Sequence, residues 1–292
     1  MLGRARARRR DPQRVTEANE LVSEHRLWKL TWEEAAAIAK ATDAVLVPLG
    51  TTEQHGRHLP LDTDAYIATE LCECVALAAH KRGLTVLVAP TLDFGVSWYH
   101  RDFAGTLWLS PDLFINAVLE ICKSLTHHGF ERKVIVNCHG GNAAALTVAI
   151  NRFYDETGER MLLAQWWELA SDVIKELMVS GVIHAEEAET SLALALGQRV
   201  LMEKAAKDAF DRSTTVHERG YLWSRHAKYD AMFKGGFINA PMDKIEEISA
   251  SGVVGDATRA TLEKGQRILD ILITRLVDVC QDLGKRGLSK PR

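Results

Sequence analysis

The sequence contains little of what marks membrane, secreted or nucleic-acid-binding proteins. No apolar run approaches the roughly 18 residues that a transmembrane helix needs, so we expect no contact with membranes. The five cysteines among 292 residues show no paired framework and no usual zinc spacing, which favours a cytoplasmic location. A formal net charge of -3 gives no reason to expect nucleic acid as a partner.

The chain also lacks internal repeats, low-complexity linkers and a dinucleotide-binding glycine motif. Because no Gly-x-Gly-x-x-Gly follows the first predicted strand, a dinucleotide-dependent doubly wound enzyme is excluded. Residues 1–14 are strongly basic and no apolar segment follows them. They are therefore a disordered tail or an over-extended gene start, and not a secretory signal. We predict a single domain over residues 15–292, a length that suits one large α/β domain.

Apolar runs and amphipathic segments alternate along the chain and predict its secondary structure. The predicted strands are the buried runs 44–49, 85–89, 133–138 and 160–165. The predicted helices cover residues 15–40, 65–81, 110–128, 143–156, 170–179 and 259–283. Such alternation is typical of a parallel sheet with helices on both faces, so the predicted fold class is α/β. The less regular region 203–250 is expected to form a lid or subunit contacts.

The segment 47–64 concentrates acids and histidines directly after the first predicted strand. Within twelve residues it contains Glu53, His55, His58, Asp62 and Asp64. Its prolines and glycines prevent a continuous helix, so we predict a long, ordered loop at the end of the strand. Carboxylate and imidazole groups suit divalent metals such as zinc, manganese or iron. A polar surface loop is the simpler alternative.

The spacing within this segment favours a cluster of metal ligands. Glu53 and His55 are two residues apart, so both side chains point the same way if the segment is extended. Asp64 follows the turn at Pro60, and its two carboxylate oxygens can bridge two ions. His139 follows the third predicted strand and can approach from there. Two ions about 3.5–4 Å apart would bind and activate one bridging water.

Several separate motifs together resemble the creatininase (creatinine amidohydrolase) family. The segment 48–64 looks like the signature of that family, and further segments agree with it in order and spacing, namely 100–107, 136–142, 184–191 and 251–256. The resemblance implies a three-layer α/β/α fold with a mainly parallel central sheet. It also implies a site for two divalent metal ions, hydrolysis of a C–N bond in a cyclic or formyl amide, and assembly as a homo-oligomer, a hexamer.

The resemblance further implies roles for individual residues. The implied metal ligands are Glu53, His55, Asp64 and His139, with Asp64 as the bridge. Creatininase itself has a glutamate two residues after the ligand histidine, where this chain has Gly141. The chain thus resembles a Gly-Gly subgroup that includes deformylases and other hydrolases. We expect Glu189 to supply the missing carboxylate, and Glu187 competes for that role.

Other residues are expected to surround the metals. By the same resemblance His184 handles protons, and Glu187 is a second catalytic candidate. The residues expected to bind substrate are His100, Asn142 and the tryptophan pair Trp166 and Trp167. His58 and Asp62 are expected to brace the loop or to orient the ligands.

The resulting hypothesis is a metal-dependent hydrolase in which a hydroxide bridging two metals attacks a carbonyl of a small polar, cyclic substrate. Cleavage of a C–N amide bond is the first expectation, as in a creatininase-like amidohydrolase or deformylase. The alternative is a C–C hydrolase that opens the ring of an oxidised inositol, of the 3-dehydro-scyllo-inosose type. A hypothesis of another class is a non-catalytic, metal-bearing binding or maturation protein.

Overall fold

Four parallel strands form the central sheet of the protein. In the computed structural model, which describes residues 24–42, 44–180, 183–208 and 244–286, the order of these strands is β2-β1-β3-β4. The strands are β1 Ala44–Leu49, β2 Leu87–Val88, β3 Arg132–Asn137 and β4 Met161–Gln165. Every residue of β1 and β3 is buried, as expected for strands covered on both faces. The predicted parallel sheet is therefore confirmed.

Helices cover both faces of this sheet. They are α1 Trp32–Ala41, α2 Thr63–Lys81, α3 Pro111–His127, α4 Ala143–Thr157, α5 Trp166–Leu169, α6 Ser171–Leu177, α7 Glu187–Ala195, α8 Ile245–Ile248 and α9 Leu262–Arg286. Leu46 of β1 belongs to an apolar core with α2, α7 and α9. Its neighbours Val45 and Val47 belong to a second core with α1, α3 and α4. Since alternate strand residues face opposite sides, the molecule has the three layers expected of an α/β/α fold.

Local sequence signals set several helix boundaries. Thr31 and Glu34 form a capping box at the start of α1, in which each side chain accepts the backbone N–H of the other residue. Ser110 accepts from the backbone of Leu113, and Pro111 occupies the first turn of α3. A Cβ on Gly50 would overlap the backbone of Ala65, so a glycine lets the chain return to the end of β1 where α2 begins.

Some predicted boundaries differ from the structure. The helix expected over 15–40 is a 3₁₀ turn at Leu27–Lys29 followed by α1, and residues 15–23 lie outside the described ranges. The strand expected over 85–89 is only the two-residue β2. Most of region 203–250, the predicted lid, and the whole tail 1–14 also lie outside those ranges. No described helix combines the length and apolar character that a membrane crossing requires.

Candidate metal centre

The carboxyl ends of the two central strands bring the predicted ligands together. β1 and β3 are paired to their last residues, Leu49 beside Asn137. The loop after β1 carries Glu53 and His55, and His139 follows β3 by two residues. Because parallel strands end at one edge of the sheet, these loops share a single cleft. The first turns of α2 and α7 add Asp64 and Glu189 to it.

Asp64 lies at the centre of the resulting cluster. Its Oδ1 is 3.1 Å from Nε2 of His55, and its Oδ2 is 3.0 Å from Nδ1 of His139. Oε1 of Glu53 lies 3.4 Å from the same His139 nitrogen, and Oε2 of Glu189 lies 3.7 Å from the His55 nitrogen. Two trios of potential ligands therefore share Asp64, and the donor atoms of each trio lie within 4.8 Å of one another. The trios are Glu53, Asp64 and His139, and His55, Asp64 and Glu189.

The carboxylates of this cluster are buried without enough partners. Glu53 is fully buried, and neither of its carboxylate oxygens has a hydrogen bond to any described residue. Oδ2 of Asp64 is likewise without a hydrogen bond within the described part of the chain. An uncompensated buried carboxylate costs several kcal/mol, which coordination of a cation removes. The residues present therefore fit divalent metal ions held by nitrogen and oxygen ligands.

Backbone carbonyls orient both ligand histidines. Nδ1 of His55 lies 3.1 Å from the carbonyl oxygen of Glu53, and Nε2 of His139 lies 3.1 Å from that of Val96. Since a carbonyl can only accept, each of these ring nitrogens carries the hydrogen. In the neutral ring, which a metal ligand requires, the other nitrogen is then unprotonated and faces Asp64.

The electrostatic field of the cluster favours positive charge. Burial lowers the pKa of His139, but the carboxylates of Glu53 and Asp64 outweigh that effect and raise its pKa to about 10. His55 behaves in the same way, because Asp64 and Glu189 raise its pKa well above the usual value despite burial. Burial raises the pKa of Glu53, while the nearby histidines lower it in part. A site that stabilises imidazolium ions so strongly also suits a metal dication.

Gly141 stands where a carboxylate was expected from the resemblance. A Cβ at this position would overlap the Tyr99 hydroxyl and the Val96 carbonyl, so the space is already filled.

Oε2 of Glu189 accepts the backbone N–H of Ala185 at 2.6 Å. Ala185 has a left-handed φ of 51°, which costs of order 1 kcal/mol in a residue other than glycine.

Glu189 is held in place by the start of its own helix. The buried side chain of Glu186 accepts from the backbone N–H groups of Ala188 and Glu189 and thereby caps α7. Burial also raises the pKa of Glu186 to about 8. The cap fixes the direction in which α7 leaves the cleft, and with it the position of the Glu189 carboxylate.

Two further histidines line the same cleft. Nδ1 of His184 is 3.7 Å from Oε1 of Glu53, and its ring lies 4.6 Å from the ring of His55, centroid to centroid. Nε2 of His100 is 3.3 Å from the same Glu53 oxygen. Burial lowers the pKa of both His100 and His184 well below the usual value, which favours neutral rings. The structure thus brings both predicted histidines to the cluster.

The structure does not bring Glu187 to the cluster. Its carboxylate is bound by the ammonium group of Lys264 and by the backbone N–H groups of Val179 and Ser180, at 3.0 and 3.1 Å. Successive helical residues point about 100° apart, so Glu187 and Glu189 face nearly opposite sides of α7. The geometry therefore gives no support to the catalytic or ligand role predicted for Glu187.

The other residues predicted to bind substrate lie in the interior packing. Trp166 and Trp167 are 2% and 4% exposed and belong to the apolar core that includes Cys138. The amide of Asn142 accepts from the backbone of Val96 at 2.9 Å and donates to the carbonyl of Gly50 at 3.2 Å. These contacts tie together the segments that follow β1, β2 and β3. Direct contact of these three residues with a substrate stays a prediction.

His58 and Asp62 connect the loop to the region of α7. Nε2 of His58 lies 2.9 Å from the hydroxyl of Thr190, and Oδ1 of Asp62 accepts from Gln198 at 3.1 Å. Burial and the neighbouring His55 lower the pKa of His58 to about 4, so its ring is neutral near pH 7. Both contacts are of the kind expected for residues that brace a loop.

Sequence reasoning missed Gln54 and Tyr99. The Gln54 amide contacts both His100 and His184, and the Tyr99 hydroxyl is 3.2 Å from Nε2 of His139. The position of Gln54 between two predicted ligands is the feature of the sequence that could have identified it. Tyr99 gave none beyond its place before His100, because an aromatic residue in a loop is as often part of a small core.

Comparison with known proteins finds relatives over most of the chain and agrees with the fold. The mycofactocin precursor peptide peptidase of Mycobacterium ulcerans is 32% identical over 259 residues, 87% of this chain and 89% of that protein. The 3-dehydro-scyllo-inosose hydrolase of Thermotoga maritima is 27% identical over 271 residues, 88% of this chain and 83% of that protein. A solved structure of creatininase with manganese superimposes with a TM-score of 0.70 at 25% identity, covering 89% of this chain and 98% of that one.

The family comparison covers most of the chain. The creatininase model, described as creatinine amidohydrolase, matches residues 28–280, which include every residue of the cluster. The relatives are hydrolases, and the buried cluster has the composition of a metal site. This chain therefore belongs to the creatininase family and is a metal-dependent hydrolase.

Proposed function

We propose that the protein hydrolyses a C–N amide bond in a small polar, cyclic substrate with the help of two divalent metal ions. The observation that carries the proposal is the position of Asp64, whose two oxygens face two different trios of buried ligands. The unpartnered oxygens of Glu53 support it, because a cation satisfies them. The solved creatininase with manganese supports the choice of a divalent metal.

The two trios would hold one metal ion each. Glu53, Asp64 and His139 form the first site, and His55, Asp64 and Glu189 form the second, with zinc, manganese and iron as candidates. When bound, such ions would polarise a carbonyl group and lower the pKa of a coordinated water. Glu189 thereby takes the place of the carboxylate that is absent at Gly141.

His184 is the residue placed to move a proton. Its Nε2 lies 2.8 Å from the backbone oxygen of Gln54, which leaves Nδ1 unprotonated on the side of Glu53. Nδ1 accepts a proton as water adds to the carbonyl carbon, and returns it to the leaving nitrogen when the C–N bond breaks. His100 lies beside His184, with the two ring centroids 4.4 Å apart, and its Nε2 is 3.3 Å from the same oxygen of Glu53.

A second reaction is favoured by one relative. The 3-dehydro-scyllo-inosose hydrolase is similar over most of this chain, so ring opening at a C–C bond is the alternative function. Addition of water to a ketone uses the same base, and the proton then returns to carbon instead of nitrogen. Substrates of the two classes distinguish the proposals, since only one leaves a free amine.

The hydrolase family and the trios of buried potential ligands argue against a non-catalytic binding or maturation protein. The test is elemental analysis of the purified protein, followed by assays with a cyclic amide, an N-formyl amine, short peptides and a ring diketone. We expect about two metal ions per chain and activity that chelation removes. Full activity of the chelator-stripped protein would refute the proposal. The predicted assembly as a homo-oligomer, a hexamer, stays a prediction, and light scattering would measure the number of subunits.

A further inference from the structure

Gln54 lies between Glu53 and His55, and its amide reaches His100 and His184, which belong to neither of the two trios that share Asp64. We propose that Gln54 fixes the tautomers of His100 and His184. In this arrangement His184 presents an unprotonated nitrogen to the metal cluster, and His100 presents an N–H. Gln54 is thus a positioning residue, and the consequence for catalysis rests on the proposed hydrolase function.

Two backbone groups determine which end of the Gln54 amide is the oxygen. The N–H of Gly56 lies 2.9 Å from Oε1 and can only donate. The carbonyl of Gly252 lies 3.0 Å from Nε2 and can only accept. Rotating the amide by 180° would oppose two donors at Gly56 and two acceptors at Gly252. The assignment of nitrogen and oxygen therefore follows from the fold.

The amide nitrogen determines the tautomer of His100. Nδ1 of His100 is 2.8 Å from Nε2 of Gln54, which is a donor and has no acceptor capacity. Nδ1 must therefore accept, and the single hydrogen of the neutral ring lies on Nε2. That nitrogen is 3.3 Å from Oε1 of Glu53. His100 consequently has an N–H, and no lone pair, on the side of Glu53 and leaves the metal positions to other residues.

The backbone of the same residue determines the tautomer of His184. Nε2 of His184 lies 2.8 Å from the carbonyl oxygen of Gln54 and 2.9 Å from its amide nitrogen. The amide has two hydrogens for three neighbours, and if they serve His100 and Gly252, the backbone carbonyl is the partner of Nε2. Since it can only accept, Nε2 carries the hydrogen and Nδ1 is free. A free Nδ1 is what a proton acceptor beside Glu53 needs.

The wild-type protein provides a test that depends on no substitution. Zinc-loaded protein with ¹⁵N-labelled histidine rings would be examined by long-range ¹H–¹⁵N NMR, because zinc is diamagnetic. The signals of the two rings are identified from their loss in His100→Gln and His184→Gln. We expect both rings to be neutral with hydrogen on Nε2. A hydrogen on Nδ1 of either ring, or a doubly protonated ring, overturns the proposal.

A substitution separates the side chain of Gln54 from its backbone. In Gln54→Glu the donor facing His100 becomes an acceptor of the same shape, so we expect the hydrogen of His100 to move to Nδ1. His184 should keep its tautomer, because its partner is a backbone carbonyl. We expect kcat to fall about 10–100-fold with little change in KM, a range typical of residues that orient ligands. Gln266→Glu on the exposed face of α9 is the matched control.

The outcomes distinguish this inference from the proposed function. An unchanged His100 tautomer in Gln54→Glu overturns the role of Gln54, whatever the activity. The predicted tautomers in a zinc-loaded protein that hydrolyses none of the tested substrates would support Gln54 and count against the hydrolase proposal. An active enzyme with the opposite His100 tautomer would support the hydrolase and refute the inference.

Discussion

Replacing Glu189 and Glu187 separately by glutamine should produce opposite effects. Glu189 faces the cluster, with Oε2 3.7 Å from Nε2 of His55, whereas Glu187 binds Lys264 and the backbone of Val179 and Ser180. Glutamine preserves the shape of each side chain and removes its charge. The two variants are therefore matched controls for each other, two residues apart on one helix.

Glu189→Gln removes a charged ligand from the His55 site only. Loss of one charged partner from a buried ionic cluster costs about 3–5 kcal/mol, which corresponds to metal binding weaker by roughly 10²–10⁴-fold. We expect elemental analysis after dialysis to give about one metal ion per chain, bound by the trio that contains Glu53. Activity should be lost, while the chain keeps its fold.

Glu187→Gln should leave metal binding unchanged and lower stability. A hydrogen bond to a charged group contributes about 1.5–3 kcal/mol, and Lys264 loses its buried anionic partner in this variant. Thermal unfolding followed by circular dichroism should show a lower midpoint, with two metals per chain retained. Two tightly bound metals and normal turnover in Glu189→Gln would refute Glu189 as a ligand, and loss of a metal in Glu187→Gln would refute the assignment of their roles.

Three further changes test the same cluster. Asp64→Asn should weaken the binding of both metal ions by at least about 10²-fold in a metal-binding titration, because both trios share this residue. The control Asp62→Asn should bind both ions normally. Gly141→Ala should weaken metal binding and lower the unfolding midpoint, since the added Cβ overlaps the Tyr99 hydroxyl; a fully loaded, equally stable variant would contradict this. Chelation should lower the unfolding midpoint of the wild type and metal should restore it, because bound ions stabilise only the folded state; an unchanged midpoint would count against a buried site.

The sequence predicted the sheet, and the meeting of several acids and histidines at one edge of it, because both depend on local patterns. Short continuous apolar runs rich in valine and isoleucine, bounded by turn residues, indicate strands covered on both faces, as β1 and β3 are. The loop after such a strand must lie at the carboxyl edge of the sheet. Glu53, His55 and His139 are therefore expected to lie close together, as they do.

The choice between Glu187 and Glu189 could not be made from the sequence. Residues two apart on a helix point about 200° apart, so only the rotation of α7 decides which of them enters the cleft. That rotation depends on the Glu186 cap, on the left-handed Ala185 and on packing against α9. Each of these is a tertiary feature, and the two glutamates look equivalent in the sequence.

The direction in which the two tryptophan side chains point could not be predicted from the sequence either, because it also depends on tertiary structure. Trp166 and Trp167 follow β4 directly, at the sheet edge where functional loops meet. The short helix α5 begins at once and places both rings in the apolar core. Their position at the end of a strand therefore predicted that the tryptophans lie near the cleft. Only the structure shows in which direction their side chains point.

The central claim is that two metal ions share Asp64 and that Glu189 ligates one of them. Anomalous diffraction from crystals of the manganese- or zinc-loaded protein tests it most directly. We expect two peaks on either side of the Asp64 carboxylate, one beside Glu53 and His139 and the other beside His55 and Glu189. A single peak, or a second ion with no bond to Glu189, would contradict the account.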